Sequence, residues 1–198
     1  METRYAIFLL TTWHLLLFRH FYFVNPYHYA TSELLEQVFP SWLHLGRSLR
    51  QGRLVVADPY YYADYPSYPF LSSFYPPHMV SAWLGSFLPL NQAFCLLCLT
   101  MVSHCWLASV SAYILVSSMG AAPLVAGFAS VLCSAMPYTM KQNSSIIYTT
   151  AWVPVYLWAA SAQDIWLSGI SLGMMLLAGY WPIGLYTVPL GWILWISS

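Results

Sequence analysis

Residues 92–117, QAFCLLCLTMVSHCWLASVSAYILVS, decide the fold. Twenty-six residues pass without a formal charge, and about 20 such residues span the hydrocarbon of a bilayer as a helix. Within this run His104 is the one residue that ionises near neutral pH, and an ionisable group inside a membrane segment is a functional candidate. A packed core histidine is the ordinary alternative.

From residue 79 the chain is almost continuously apolar. Breaks at Gly120, at Lys141-Gln142-Asn143, at Asp164 and at Pro182 divide it into expected spans at 92–117, 121–138, 146–162, 165–180 and 182–197. Small residues recur along them (Ser109, Ser111 and Ala112; Ala126 and Gly127; Gly169 and Gly173), as close helix contact in lipid requires. Residues 79–90 are too short to span and read as a re-entrant or interfacial helix ending at Pro89.

Upstream, residues 5–23 form a first apolar run behind Arg4. No small-residue cleavage site follows, so a retained anchor fits better than a secretory signal. Arg4 places the N-terminus on the cytoplasmic side and residues 24–90 outside. The expectation is an all-α integral membrane protein, a single membrane domain over residues 1–198 with about six transmembrane helices and a long first extracytoplasmic loop.

Composition agrees. Of 198 residues 60% are hydrophobic and only 6% charged, against about a quarter charged in soluble domains. The net charge is zero and no basic stripe exists, which excludes nucleic acid as a partner. Seven of the twelve formal charges fall between Glu33 and Asp64. Cys95, Cys98, Cys105 and Cys133 lie in apolar runs and read as small packing residues, with no disulfide framework.

The long loop has two parts. Ser32 to Arg53 reads as an amphipathic helix, capped by Ser32, interrupted near Pro40 and ended by Gly52. Its apolar face is suited to the membrane interface, and Arg47, Arg50 and Arg53 gather at its far end. Residues 54–78 hold six tyrosines and five prolines, which argues against regular structure. Tyrosines there, Tyr60 and Tyr75 among them, suit the headgroup zone or a sugar-binding groove.

Several short stretches in order carry a resemblance. They are Glu33-Leu34-Leu35-Glu36-Gln37-Val38-Phe39-Pro40, Arg47-Ser48-Leu49-Arg50-Gln51-Gly52-Arg53-Leu54, Asp58-Pro59-Tyr60, Tyr65-Pro66 and Phe74-Tyr75-Pro76-Pro77. His104 with Tyr113-Ile114-Leu115, Met119-Gly120, Ala151-Trp152-Val153-Pro154 and Leu177-Ala178-Gly179-Tyr180-Trp181-Pro182 continue them. Together they resemble the YfhO-like bacterial membrane proteins, which belong with the GT-C type of polyprenyl-phosphate-sugar-dependent glycosyltransferases. The chain departs from that family in three ways. Glu33 stands where the family has aspartate; Ala57 stands where it has tryptophan, and Ala63-Asp64 where it has Gly-Gly; and its members run several times longer.

The resemblance implies a multi-pass protein of the bacterial inner membrane that moves a sugar from a polyprenyl-phosphate donor to a cell-envelope acceptor. Such transfer needs a base for the acceptor proton or a divalent metal for the phosphate, and a carboxylate serves either purpose. On this reading Glu33, Glu36 and Asp58 are the candidate carboxylates, with helix-dipole and turn-capping roles as their ordinary alternatives. Arg47, Arg50 and Arg53 are the candidate phosphate ligands, with lipid headgroup contact as theirs. Tyr60, Tyr75 and Lys141 are candidate substrate-loop residues. A non-catalytic scaffold or lipid-binding subunit, completing its fold with a partner membrane protein, is the rival function. A small transporter, the third, would show internal repeats, and none is evident.

Overall fold

A computed structural model describes residues 3–19, 25, 34–54, 57–58, 65–66, 74–139 and 144–197. The expected Ser32 cap therefore lies outside the described residues, as do Glu33, Tyr60 and Lys141.

Eight α-helices carry the described chain: α1 (Thr3–Leu17), α2 (Phe39–Arg50), α3 (Pro76–Gly85), α4 (Leu90–Ser118), α5 (Pro123–Thr139), α6 (Ser144–Ser161), α7 (Ile165–Leu177) and α8 (Trp181–Ser197). One π-helical turn, Leu34–Val38, leads into α2. The architecture is all but wholly helical. The exception is a two-residue antiparallel pair, β1 (Ala57–Asp58) with β2 (Tyr65–Pro66), inside the segment expected to lack regular structure.

Helix boundaries follow local chemistry. Pro40 does not interrupt α2; it sits in the first turn, where a missing N–H costs nothing. Gly52 takes φ +70° just past the end of α2, and Arg53 N–H returns to Ser48 O at 2.9 Å. Pro76 and Pro77 open α3 in the same way. Gly120 at φ +79° turns the chain between α4 and α5. Asp164 caps α7 by accepting from Leu167 N–H at 3.0 Å.

Length separates α4 from the rest. At 29 residues it extends about 43 Å, and it is the one described helix long and apolar enough to cross a membrane. The other described helices are shorter: α1 has 15 residues, α7 has 13, and α5 and α8 have 17 each. One span of full length thus stands where the sequence suggests six. The Asp164 cap starts α7 where the expected span begins, and Gly179, at φ +95°, ends its continuation at the other end.

Helix α4 is the hub. It packs against α5, α6 and α3, while α6 packs against α7 and α8, and α1 lies across α4 and α5. Trp106 Nε1–H donates to Thr11 Oγ1 at 3.1 Å where α1 crosses. Between α4 and α5, the Ser109 and Ser130 hydroxyls bond at 2.8 Å.

The apolar face of α2 does not lie open toward an interface. Trp42 and Leu45 are buried with Leu34, Ala82, Phe94 and Leu97, so α3 and α4 cover it. Two glycines make this possible. A Cβ at Gly46 would fall on the Ala82 carbonyl, and one at Gly85 on the Trp42 ring. Of the small residues expected to bring helices together, Ser109, Ser111, Ala112 and Ala126 are buried, whereas a Cβ at Gly127, Gly169 or Gly173 would meet open space.

Candidate functional site

Two places concentrate polar groups among the described residues. The first is inside, where the segment ahead of α3 meets the middle of α4 and the first half of α6. Tyr75 is 0% exposed there, and Tyr148, His78 and His104 are buried beside it. A tyrosine expected to offer its ring to a substrate groove is instead enclosed.

The hydrogen bonds fix a direction. His104 Nδ1 lies 2.6 Å from Thr100 O, which can only accept, so Nδ1 carries the hydrogen. Nε2 is then bare and accepts from the Tyr75 O–H at 2.5 Å. Trp152 Nε1–H donates to the Tyr75 oxygen at 2.7 Å. The chain therefore runs from Trp152 to Tyr75 to His104 to Thr100. Tyr148 stacks close by, 4.6 Å from His104 and 5.3 Å from Tyr75 between ring centroids. His78 Nδ1 reaches the Tyr148 hydroxyl at 3.4 Å.

Tyr75 and His78, which lie outside the expected spans, favour their neutral forms. Burial pushes the Tyr75 hydroxyl well above its ordinary value, although the Trp152 N–H opposes this. Burial, with His104 nearby, brings His78 from 6.5 down to about 3. No Asp, Glu, Lys or Arg occurs anywhere in α3 to α8. An added charge would have no counter-ion from these helices.

The second place is the end of α2. Arg47, Arg50 and Arg53 are all exposed there. Arg50 lies over the Phe87 ring at 5.1 Å and donates to Ser86 O at 3.3 Å, so it is tied to the turn after α3. Trp83, Leu84, Phe87 and Leu88 are exposed around the same turn. A cationic ledge thus borders an apolar one. The negative end of the α2 dipole also favours these cations.

Of the candidate carboxylates, Glu33 lies outside the described residues. Glu36 is exposed on the π-helical turn. Asp58 is described through its backbone alone, opposite Tyr65. Among the described residues no three His, Cys, Asp or Glu side chains come together as a metal site, and the four cysteines are unpaired.

Sequence reasoning singled out His104 and Tyr75 separately and missed their bond. It passed over His78 and Tyr148, and met Trp152 only as part of a motif. The available signal was the Pro-Pro helix start, which fixes Tyr75 at the mouth of α3. No family model, curated protein or solved structure matches the chain.

Proposed function

We propose that this chain is a multi-span protein of the bacterial inner membrane, built like the N-terminal part of a GT-C glycosyltransferase. It holds a polyprenyl-phosphate-linked sugar at the α2 ledge and passes the sugar to a cell-envelope acceptor. The observation that carries the membrane reading is an inverted distribution of polarity. Buried positions include Ser109, Ser130, Ser134, Thr149 and Ser171, while Leu124 is 87% exposed and Trp166 81%. Water does not favour such a surface, and lipid does. Shorter helices then sit in lipid by tilt or local thinning.

In the transfer, the acceptor hydroxyl bonds to the anomeric carbon as the bond to the phosphate oxygen breaks. The acceptor proton goes to a carboxylate, with Glu33 first in line by the resemblance. Arg47, Arg50 and Arg53 hold the departing polyprenyl phosphate. A divalent metal at the carboxylates would serve the same phosphate.

The rival reading, a lipid-binding subunit without chemistry, is favoured by one observation. The best-formed acid–base pair, Tyr75 with His104, is buried and bonded to itself. Sugar transfer in lipid by purified protein separates the two. Glu33→Gln is expected to lower transfer about 100-fold or more, and Arg47→Gln with Arg50→Gln to weaken donor binding by about 1 kcal/mol per arginine. Polyprenyl phosphate binding with no transfer from any donor would favour the subunit.

A further inference from the structure

We propose that the Trp152–Tyr75–His104 chain is a proton-operated latch holding the α2–α3 arm, and with it the arginine ledge, against the α4–α6 bundle. The regulatory role rests on the ledge reading; the latch itself does not.

Tyr75 immediately precedes α3, so its hydroxyl is where the arm is fastened to both α4 and α6. Helices α2 and α3 are tied to each other. Trp42 Nε1–H donates to Ser81 Oγ at 3.2 Å, Gly46 sits against Ala82, and Arg50 reaches Ser86. Freeing Tyr75 leaves α2 and α3 held to α4 by apolar packing, Trp42, Leu45 and Ala82 against Phe94 and Leu97.

A proton can reverse the bond that holds it. When Nε2 of His104 takes a proton from water, the acceptor becomes a donor. Nε2–H and Trp152 Nε1–H then converge on one phenol oxygen, and the Tyr75 hydrogen must leave its place. Among the described residues no carboxylate faces the imidazolium. The titratable groups around it are Tyr75 and His78 from the arm, Tyr148 from α6, and Cys98 and Cys105 of α4 beside Tyr148. Helix α5 carries no acidic or basic residue; Arg47 and Arg50 of α2 are exposed and His44 of α2 is half-buried; and α1, which meets α4 at Trp106 and Tyr113, places the buried His14 between Thr11 and Phe18, the latter packed with Cys98 and Cys105.

The closed arm keeps the Tyr75 O–H on Nε2 of His104, and the open arm leaves that nitrogen to a proton from water. Acid below the ordinary imidazole value of 6.5 favours opening, and neutral pH favours closure.

Hydrogen–deuterium exchange of the full chain in lipid nanodiscs tests this, with rates corrected for intrinsic pH dependence. Between about pH 7.5 and about pH 5, amides of α2 and α3 are expected to exchange about tenfold faster, with α5 and α6 unchanged. Tyr75→Phe should exchange fast at both pH values. His104→Gln keeps an acceptor for Tyr75 without titrating and should lose the larger part of the response. Adding His78→Gln should flatten it. A wild-type arm indifferent to pH, or an undiminished response in the double variant, overturns the latch. Retention of polyprenyl phosphate, read by native mass spectrometry at about pH 7.5, tests the ledge separately. Its failure alone would sink the lipid reading and leave the latch standing.

Discussion

The α2–α3 arm and the α4–α8 bundle have mixed interiors of the same kind and differ in what they expose. In the arm, Trp42, Leu45 and Ala82 go inside with His78 and Ser81, and the arginines stand outside beside Trp83 and Leu84. In the bundle, Phe94, Leu97 and Met175 go inside with serines, Thr149, Tyr148 and His104, while Leu124, Phe128, Trp192 and Ile196 face out and no helix carries a charge. The exposed face therefore changes character near Leu90. Each part places outward whatever its surroundings tolerate. The arm suits water or the headgroup zone, and the bundle suits hydrocarbon.

Three substitutions test that contrast. The largest effect belongs to the arm, where packing is tightest. Gly46→Val would drive a side chain into the Ala82 backbone and is expected to cost about 3 kcal/mol, read as a lowered midpoint in thermal unfolding. Little loss would mean that α2 and α3 are not locked together.

Phe128→Lys comes next. Phe128 is 66% exposed, so almost no protein packing is lost. In lipid the charge should cost about 2 kcal/mol, and in a soluble setting nearly nothing. Equal effects in lipid and in mild detergent would break the comparison at its centre. The smallest effect is that of Ser130→Ala, which removes one hydroxyl bonded to Ser109 Oγ at 2.8 Å and to Ser109 O at 2.6 Å. Such interhelical bonds are worth about 0.6 kcal/mol on average in membranes. A double-mutant cycle with Ser109→Ala would measure it, and a coupling of zero would remove the polar interior as a source of stability.

Much of the helix order was legible in the sequence because its punctuation is chemical. Gly120 and Asp164 end apolar runs by turn and cap, and both act so in the structure. Lengths were less legible. Hydropathy does not register where a left-handed residue such as Gly179 stops a helix, and α7 closes at Leu177. Glycines were read with the wrong emphasis. Gly127, Gly169 and Gly173 fall at attractive spacing yet a Cβ there would meet open space, while Gly46 and Gly85, in segments read as interfacial, allow close approach. The Tyr75–His104–Trp152 chain was illegible for another reason. Its members lie 29 and 77 positions apart, and no local pattern pairs residues across such distances.

The helices from Pro76 onward contain no formally charged side chain. A membrane potential does work only on charge, at about 2.3 kcal/mol per elementary charge per 100 mV. With its imidazoles neutral, the bundle carries no gating charge, and a field across it has no side-chain ion to pull. One proton on His104 would change that, converting an electrically silent bundle into one with a single charge in its interior. Acid and voltage would then act on the same atom.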